Sequence, residues 1–306
     1  MPVTEIETEN LITKGVKISH PDKIIYPDIG LTKIELAQYI EAIAEQMMPF
    51  MEGRFVSLIR CPNGAEQKCF FQRHFMQGFG EFWLQKSFTK KDGEIENYIY
   101  IKKLDALIIA IQMGVLEFHI WGSKIDEIHK PDRIVFDLDP DSSVDFETVK
   151  QAAFRLRDVL QALDLQSLPL ISGGKGIHVV VPVQRSNEWP VVKEFAGRLS
   201  ARMEADAPEQ FVATMSKAKR KGKIFIDHFR NEIGATAIAP YSPRARKGAS
   251  VAWPVNWEQL SSISAANEVS VSMALTLDLF GWKDYGKIKQ KLAQAALRAV
   301  GVEVDR

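Results

Sequence analysis

The sequence predicts an α/β (α+β) fold of mixed β-sheets flanked by helices, and three observations lead to this prediction. Short apolar runs alternate with amphipathic segments of helical period through the middle of the chain. Of the 306 residues, 46% are apolar, which is enough to bury a sizeable core. No internal repeat and no low-complexity linker divides the chain. We therefore expect one compact unit with an N-terminal α/β part (1–130), a core (131–250) and a C-terminal helical closure (251–306).

The N-terminal part predicts one helix and two strands. Its first dozen residues are polar and acidic, which is typical of a mobile or edge segment. A helix begins after Thr32, because TKIE is a capping-box sequence, and Pro49 marks its end. Strands are expected over residues 55–60 and 98–102, with the polar stretch KSFTKKDGEIEN as an exposed loop between them.

The rest of the chain alternates strands with helices. The runs IVFDLD, LPLIS, IHVVVPV and KIFIDHF predict strands at residues 134–139, 168–172, 177–183 and 223–229. Helical periodicity covers residues 144–163 and 189–205, and a lysine-rich amphipathic helix is expected over residues 285–300.

Charge narrows the classes of function. The formal net charge is zero, which argues against a protein that coats nucleic acid through a uniformly basic surface. Residues 214–247 nevertheless carry nine Lys or Arg against two acids. This segment has the electrostatics of a phosphate-binding surface, and a solvated loop is the alternative.

Cysteine content and hydropathy bear on the compartment. Cys61 and Cys69 are eight residues apart and show no metal-binding pattern, so we expect them to be reduced. No apolar stretch approaches the roughly 20 residues of a membrane span, and no N-terminal run resembles a signal peptide. We therefore expect a soluble, cytoplasmic protein without a membrane partner.

Three aspartates on two predicted strands are candidate metal ligands. In IVFDLDPD, a strand period of two places Asp137 and Asp139 on one face. Two carboxylates this close repel unless a cation lies between them, and Mg²⁺ or Mn²⁺ is the natural partner; a strand-ending turn is the alternative. Asp227 lies in a second apolar strand, where an acid needs a partner. Three acids suffice for a two-metal site, whereas a salt bridge from Asp227 to Arg230 would be structural.

The segment ISGGKGIHVVV between these acids is a candidate phosphate loop. Its glycines allow close approach of the backbone, and Ser172, Lys175 and His178 offer a hydroxyl, a charge and an imidazole. It is not a Walker motif, since Gly176 rather than Ser or Thr follows the lysine and no helix follows. A tight glycine-rich hairpin is the alternative.

Taken in order, DLDPD, SGGKGIHVVVP, SKAKRKGKIFID and APYSPRAR resemble the polymerase (primase-polymerase) domain of bacterial DNA ligase D. This domain is the non-homologous end-joining branch of the archaeo-eukaryotic primase superfamily. HPDKIIYP, LTK, CFFQRHF and LEFHIWGS agree with the match, which spans roughly residues 15–290. The resemblance implies a single primase-polymerase domain, with DNA and 5′-phosphate contacts in the N-terminal part.

The resemblance also implies roles for individual residues. Asp137, Asp139 and Asp227 would be the catalytic, metal-binding residues. Eight residues would bind the nucleotide, the two phenylalanines by stacking on bases: Ser172, Lys175, His178, His119, Arg230, Arg244, Phe70 and Phe71. For His119 and the two phenylalanines, a place in the apolar core is the alternative.

Further basic residues would contact DNA. The resemblance assigns the 5′-phosphate to Lys23 and Lys33, and Lys33 at a helix N-terminus adds its charge to the helix dipole. Many relatives have Asn where this chain has His20. Residues that match a mobile template loop are Lys217, Lys219, Arg220 and Lys221.

Together these features imply a template-directed DNA/RNA polymerase that adds nucleotides, ribonucleotides by preference, to 3′ ends at gaps or double-strand breaks. The implied cofactors are two Mn²⁺ (or Mg²⁺) ions, with NTP or dNTP as substrate. The implied partners are DNA with a 5′-phosphate, Ku and a DNA ligase, with a dimer where two DNA ends are bridged. Two alternatives are a metal-dependent nuclease or phosphoesterase and a noncatalytic DNA-end-binding module.

Overall fold

The structure is a computed structural model that describes residues 12–13, 15–90, 92–277 and 281–303. The N-terminal segment predicted to be mobile or at an edge therefore lies outside the described residues, except for Ile12. The described strands are β1 (Ile12–Thr13), β2 (Val16–Lys17), β3 (Ile24–Tyr26), β4 (Leu31–Thr32), β5 (Phe55–Arg60), β6 (Phe70–Gln72), β7 (Trp83–Thr89), β8 (Ile95–Ile101), β9 (Val115–Trp121), β10 (Arg133–Pro140), β11 (Leu168–Ile171), β12 (Ile177–Pro182), β13 (Phe211–Val212), β14 (Ile224–Asp227), β15 (Thr236–Ile238) and β16 (Trp253–Pro254). The described helices are α1 (Lys33–Met51), α2 (Asp105–Gln112), α3 (Phe146–Gln161), α4 (Trp189–Asp206), α5 (Trp257–Ser262), α6 (Val271–Ala274) and α7 (Gln294–Ala299), with 3₁₀ turns at Gly80–Phe82, Lys217–Arg220, Lys247–Ala249 and Tyr285–Lys287.

The central sheet has the strand order β13-β14-β10-β12-β11-β16. Its strands pair antiparallel, apart from the parallel pair β13–β14, which makes the sheet mixed. Helices α3 and α4 both pack on β10. Ile134, Phe136 and Leu138 of β10 are completely buried at alternate positions, so the intervening positions form the opposite face of the strand. This confirms the predicted α/β (α+β) class.

A second, N-terminal sheet has the order β15-β9-β5-β8-β7, with β6 paired to β5. Its edge strand β15 comes from residues 236–238, far along the chain from β9. The polypeptide thus returns from the central sheet to complete the N-terminal one. One continuous apolar core includes residues of both sheets.

Helix α1 begins as predicted and ends later than predicted. The Thr32 hydroxyl accepts a hydrogen bond from the Glu35 amide, and the Glu35 carboxylate accepts one from the Thr32 amide at 2.7 Å. Pro49 lies inside the helix rather than at its end. Phe50 and Met51 beyond it are buried, and their packing holds the last turn helical.

Two other expected elements differ from the structure. The stretch KSFTKKDGEIEN is largely the β7–β8 hairpin, because β7 and β8 are paired from Trp83 opposite Ile101 to Thr89 opposite Ile95. The expected helix over residues 285–300 is a 3₁₀ turn followed by the short α7. Between them the Gln290 side chain donates to Pro182 O at 2.7 Å and Gln166 O at 2.8 Å, which ties this segment to β12 in place of a helix.

The expectation of reduced cysteines is wrong. Cys61 and Cys69 form a disulfide, with their Cα atoms 4.3 Å apart. The antiparallel pairing of β5 with β6 brings the ends of these strands together and closes the intervening loop. The spacing in sequence could not show this, because it depends on a hairpin that begins only at Phe70.

Candidate active site between the two sheets

Strand β10 places the predicted acids at the centre of the central sheet. Asp137 is the register partner of His178 on β12 and of Asp227 on β14. The side chains of Asp137 and Asp227 are each 14% exposed. The prediction that acids from separate strands meet on one face is therefore confirmed for this pair.

Arg230 lies between the two paired acids. Its Nη2 atom is 3.1 Å from Asp137 Oδ2 and 3.0 Å from Asp227 Oδ2. Burial raises the pKa of Asp137, but the imidazole of His178, at 3.3 Å, and the guanidinium of Arg230 outweigh it and hold this pKa well below its usual range. Burial dominates at Asp227, and its pKa is raised. The structural alternative, a salt bridge from Asp227 to Arg230, is thus present.

Asp139 stands apart from this pair. Its side chain is 56% exposed, and Arg220 Nη1 lies 3.9 Å from its carboxylate. Burial and the charge of Asp137 both raise the pKa of Asp139. Within residues 12–13, 15–90, 92–277 and 281–303, no three His, Cys, Asp or Glu side chains converge closely enough to hold a metal ion. The expected three-acid cluster is therefore not assembled in this arrangement.

The three acids are nevertheless of the ligand type that binds divalent cations. Carboxylate oxygens are the ligands that Mg²⁺ and Mn²⁺ accept. Burial, and after it the charges of Asp137 and Asp227, raise the pKa of Asp139, so a cation at this end of β10 would be favoured. A cationic group, Arg230, already lies between two of the acids. To hold an ion together, Asp137, Asp139 and Asp227 would need this guanidinium to move away and Asp139 to approach the other two.

The glycine-rich loop between β11 and β12 lies directly beside the acids. The Ser172 amide donates to Gly176 O at 3.1 Å and closes the turn, and the Gly174 amide donates to the Ser172 hydroxyl at 3.3 Å. A Cβ at Gly176 would lie 3.1 Å from the Leu138 carbonyl carbon and closer still to its oxygen. Glycine is therefore required where the loop approaches the backbone of β10 at the start of β12.

A buried network forms the opposite wall. His119 on β9 hydrogen-bonds Glu117 at 2.8 Å, and Arg244 Nε lies 3.2 Å from the same carboxylate. Burial raises the pKa of Glu117, but His119 and Arg244 outweigh burial and hold it at about 2. Arg244 also donates to Ser172 O, so this network braces the glycine-rich loop.

These groups surround one cavity of about 410 Å³, here called the inter-sheet cavity. Two of the acids, the glycine-rich loop and several basic side chains line it together. Eight predicted residues form part of the lining: His119, Asp137, Asp139, Ser172, Lys175, His178, Arg230 and Arg244. Asp227 does not line the cavity, and it contacts Arg230, which does.

Two of the predicted nucleotide-binding residues, Phe70 and Phe71, do not line this cavity, and neither do the residues predicted to contact DNA. Phe70 and Phe71 on β6 are 40% and 51% exposed, so they are not core residues. Arg60 lies over the Phe70 ring at 5.2 Å. Among the predicted template-loop residues, three lie in the 3₁₀ turn Lys217–Arg220, and Arg220 stacks on Phe225 at 3.6 Å.

The two lysines assigned to a 5′-phosphate lie close together. Lys23 Nζ donates to Pro62 O at 2.6 Å, and Lys33 Nζ donates to Ser19 O at 2.9 Å. Burial lowers the pKa of Lys33, and the nearby charge of Lys23 lowers it further. His20 has a φ of 51°, a left-handed conformation that Asn adopts more readily than most residues.

Three polar residues of the site were missed in the sequence: Arg246 and Thr236, which line the cavity, and Glu117, which supports its wall through His119 and Arg244. Glu117 sits two residues before His119, so strand periodicity places both on one face. Arg246 follows Arg244 at the same spacing. Thr236 gave no signal, because its place depends on β15 joining the N-terminal sheet.

Residues 32–278 match the family model "LigD, primase-polymerase domain". The chain belongs to this LigD primase-polymerase family. It is 37% identical over 294 residues to the "Multifunctional non-homologous end joining protein LigD" of Pseudomonas aeruginosa, covering 94% of this chain and 35% of that protein. The corresponding protein of Mycolicibacterium smegmatis is 35% identical over 249 residues, covering 80% of this chain and 32% of that protein. This LigD-family chain thus spans about a third of the length of these relatives.

A solved structure has the same fold. The polymerase domain of Mycobacterium tuberculosis ligase D, in complex with DNA, superposes with a TM-score of 0.79 at 29% identity. The match covers 85% of this chain and 93% of that domain.

In the described part of this LigD-family chain, no helix combines the length and apolarity of a membrane span.

Proposed function

We propose that this chain is a template-directed nucleotidyltransferase that extends 3′ ends at DNA gaps and breaks during non-homologous end joining. The observation that carries the proposal is the inter-sheet cavity, in which paired acids face a glycine-rich loop and basic side chains. The family match supports a polymerase or primase role. A nuclease could use the same acids, but it has no need of a cradle for a triphosphate.

The nucleotide's triphosphate fits the basic side of this cavity. The backbone amides of residues 172–176 and the Lys175 ammonium can contact its oxygens. Arg244 and Arg246 add two guanidinium groups, which suit bidentate phosphate recognition. In the reaction, the primer 3′-oxygen bonds to the α-phosphorus, and the bond between the α-phosphorus and the oxygen that bridges it to the β-phosphorus breaks. The basic groups neutralise the negative charge that develops on the departing pyrophosphate.

The acids serve the other reactant. Asp137, Asp139 and Asp227 would hold two divalent ions, Mn²⁺ by preference, which lower the pKa of the attacking hydroxyl and neutralise charge on the phosphate oxygens. His178 and Arg230 keep Asp137 ionised. The His119–Glu117 pair positions an imidazole in the cavity wall, where it can contact the nucleotide sugar. We also propose that the enzyme prefers ribonucleotides to deoxyribonucleotides.

DNA with a 5′-phosphate is the proposed partner, with Ku and a ligase completing end joining. The related Mycobacterium tuberculosis domain was solved in complex with DNA. In this chain, exposed Phe70 and Phe71 can stack on bases, and Lys23 with Lys33 can bind the phosphate. Arg220 and its neighbouring lysines can contact the template.

Extension of a labelled primer on gapped DNA tests the proposal. Wild-type protein with Mn²⁺ and NTPs should lengthen the primer, and NTPs should outcompete dNTPs. Asp137→Ala should reduce extension by at least about a thousandfold while DNA affinity stays within a few-fold, because Asp137 would serve the reaction rather than DNA binding.

Other outcomes would point elsewhere. Shortening of the primer would indicate a nuclease. Unchanged function in Asp137→Ala would indicate a noncatalytic end-binding module.

A further inference from the structure

Arg230 occupies the position that the proposed reaction reserves for a cation. A single nitrogen, Nη2, lies within 3.1 Å of one carboxylate oxygen of Asp137 and within 3.0 Å of one of Asp227. The two aspartates are direct register partners on β10 and β14, so without this group two poorly exposed carboxylates would face each other. The guanidinium therefore offsets a repulsion built into the sheet.

The remaining attachments of the Arg230 guanidinium are weak. Nη1 donates to Thr236 O at 3.4 Å, which is long for a hydrogen bond. The side chain is 38% exposed and lines the inter-sheet cavity. The group is thus held mainly by the two acids and has open space beside it.

We propose that Arg230 is a resident counter-ion that holds Asp137 and Asp227 together in the metal-free protein and competes with the first divalent ion for their oxygens. This inference rests on the proposed function, since it concerns the ions which that function requires. It assigns Arg230 a positioning role at the acids, in addition to any contact with the triphosphate. Metal binding then exchanges one cation for another at the same pair of oxygens.

Mn²⁺ binding to the full chain, without DNA or nucleotide, tests this competition by isothermal titration calorimetry. Arg230→Gln should bind Mn²⁺ about tenfold more tightly than wild type, because the competing cation is gone. Arg246→Gln is the matched control, since Arg246 lines the same cavity and has no acidic partner within the described residues. Its Mn²⁺ affinity should stay within about twofold of wild type. Arg230→Lys, which keeps a charge but loses the planar fork, should lie between wild type and Arg230→Gln.

Thermal unfolding gives a readout independent of metal affinity. In EDTA, Arg230→Gln should melt about 3 °C or more below wild type, because the acid pair is left uncompensated. Saturating Mn²⁺ should remove most of that difference.

Two results would overturn the inference alone. In one, the wild type binds Mn²⁺ and Asp137→Ala does not, but Arg230→Gln binds Mn²⁺ no more tightly than the wild type. The other is an Arg246→Gln variant that gains as much Mn²⁺ affinity as Arg230→Gln. That result would mean that the loss of any positive charge in the cavity has the same effect. If no variant binds Mn²⁺ through Asp137, the metal-dependent part of the proposed function fails, and the inference fails with it.

Discussion

Gly176 is the residue at which the nucleotide loop comes closest to the strand of acids. The loop approaches β10 at the Leu138 carbonyl, and any Cβ at position 176 would overlap that carbonyl group. Backbone contact of this kind cannot be relieved by a rotamer change. The loop can therefore lie this close to the acid-bearing strand only because position 176 is a glycine.

Gly176→Ala should destabilise the protein by about 1–3 kcal/mol and lower its affinity for NTP, because the loop must move away from β10. Gly286→Ala is the matched control, since a Cβ there meets no atom within 4 Å and its φ is not positive. Urea unfolding and NTP titration of both variants measure the two effects. Equal behaviour of the two alanine variants would contradict the role assigned to Gly176.

Glu117 is a second residue on which the cavity wall depends. Its carboxylate contacts His119, accepts a hydrogen bond from the Ala245 amide at 2.9 Å, and pairs with Arg244. These partners lower its pKa from 4.5 to about 2 despite burial. A depressed carboxyl pKa stabilises the folded state above the unfolded pKa, and that contribution disappears as the pH falls through the folded value.

Glu117→Gln should therefore cost about 2–3 kcal/mol at pH 7, and the difference from wild type should shrink between pH 4.5 and pH 2. Urea unfolding at a series of pH values measures this. The exposed Glu209→Gln should differ little from wild type at every pH. A Glu117→Gln deficit that is the same at pH 7 and pH 3 would show that charge plays no part.

Among the secondary-structure elements, the N-terminus of α1 shows how a phosphate site can be built locally. The capping box fixes where the helix starts, so the residue after Thr32 lies in the first turn. That residue is Lys33, whose pKa is lowered by burial and further by the nearby charge of Lys23. Two ammonium groups beside a helix N-terminus attract a dianionic phosphate.

Lys33→Ala should abolish the preference for gapped DNA that carries a 5′-phosphate, while leaving affinity for unphosphorylated DNA nearly unchanged. The expected loss is about tenfold in affinity for the phosphorylated substrate, as for removal of one charge-assisted phosphate contact. Fluorescence anisotropy with both DNAs measures it, with the exposed Lys102→Ala as control. A persisting preference in Lys33→Ala would place the phosphate elsewhere.

Elements with strong local signals were predictable from the sequence. The strand β5 follows from an alternating stretch and the core of β10 from an apolar-rich run of strand period, and the start of α1 follows from its capping box. The β7–β8 hairpin was missed because its residues are polar and exposed on an outer pair of strands. The C-terminal helix was overestimated because Gln290 satisfies distant backbone groups, which no local period reveals.

For the whole molecule, the meeting of the two sheets produces the site. The acids and the loop come from the central sheet, whereas His119 and Thr236 come from the N-terminal one. The residue types followed from the sequence and the family resemblance. Their spatial relations followed only in part, because the second contact of Arg230, with Asp137, and the pairing of β15 with the N-terminal sheet are long-range events.

The proposed function requires the inter-sheet cavity to hold a nucleotide triphosphate that faces metal-bound acids. A crystal structure with Mn²⁺ and a non-hydrolysable NTP tests it most directly. The account predicts anomalous density for Mn²⁺ at Asp137, Asp139 and Asp227, with the triphosphate against residues 172–176 and Arg244. Triphosphate density outside this cavity, or Mn²⁺ away from these acids with Arg230 still between them, would contradict it.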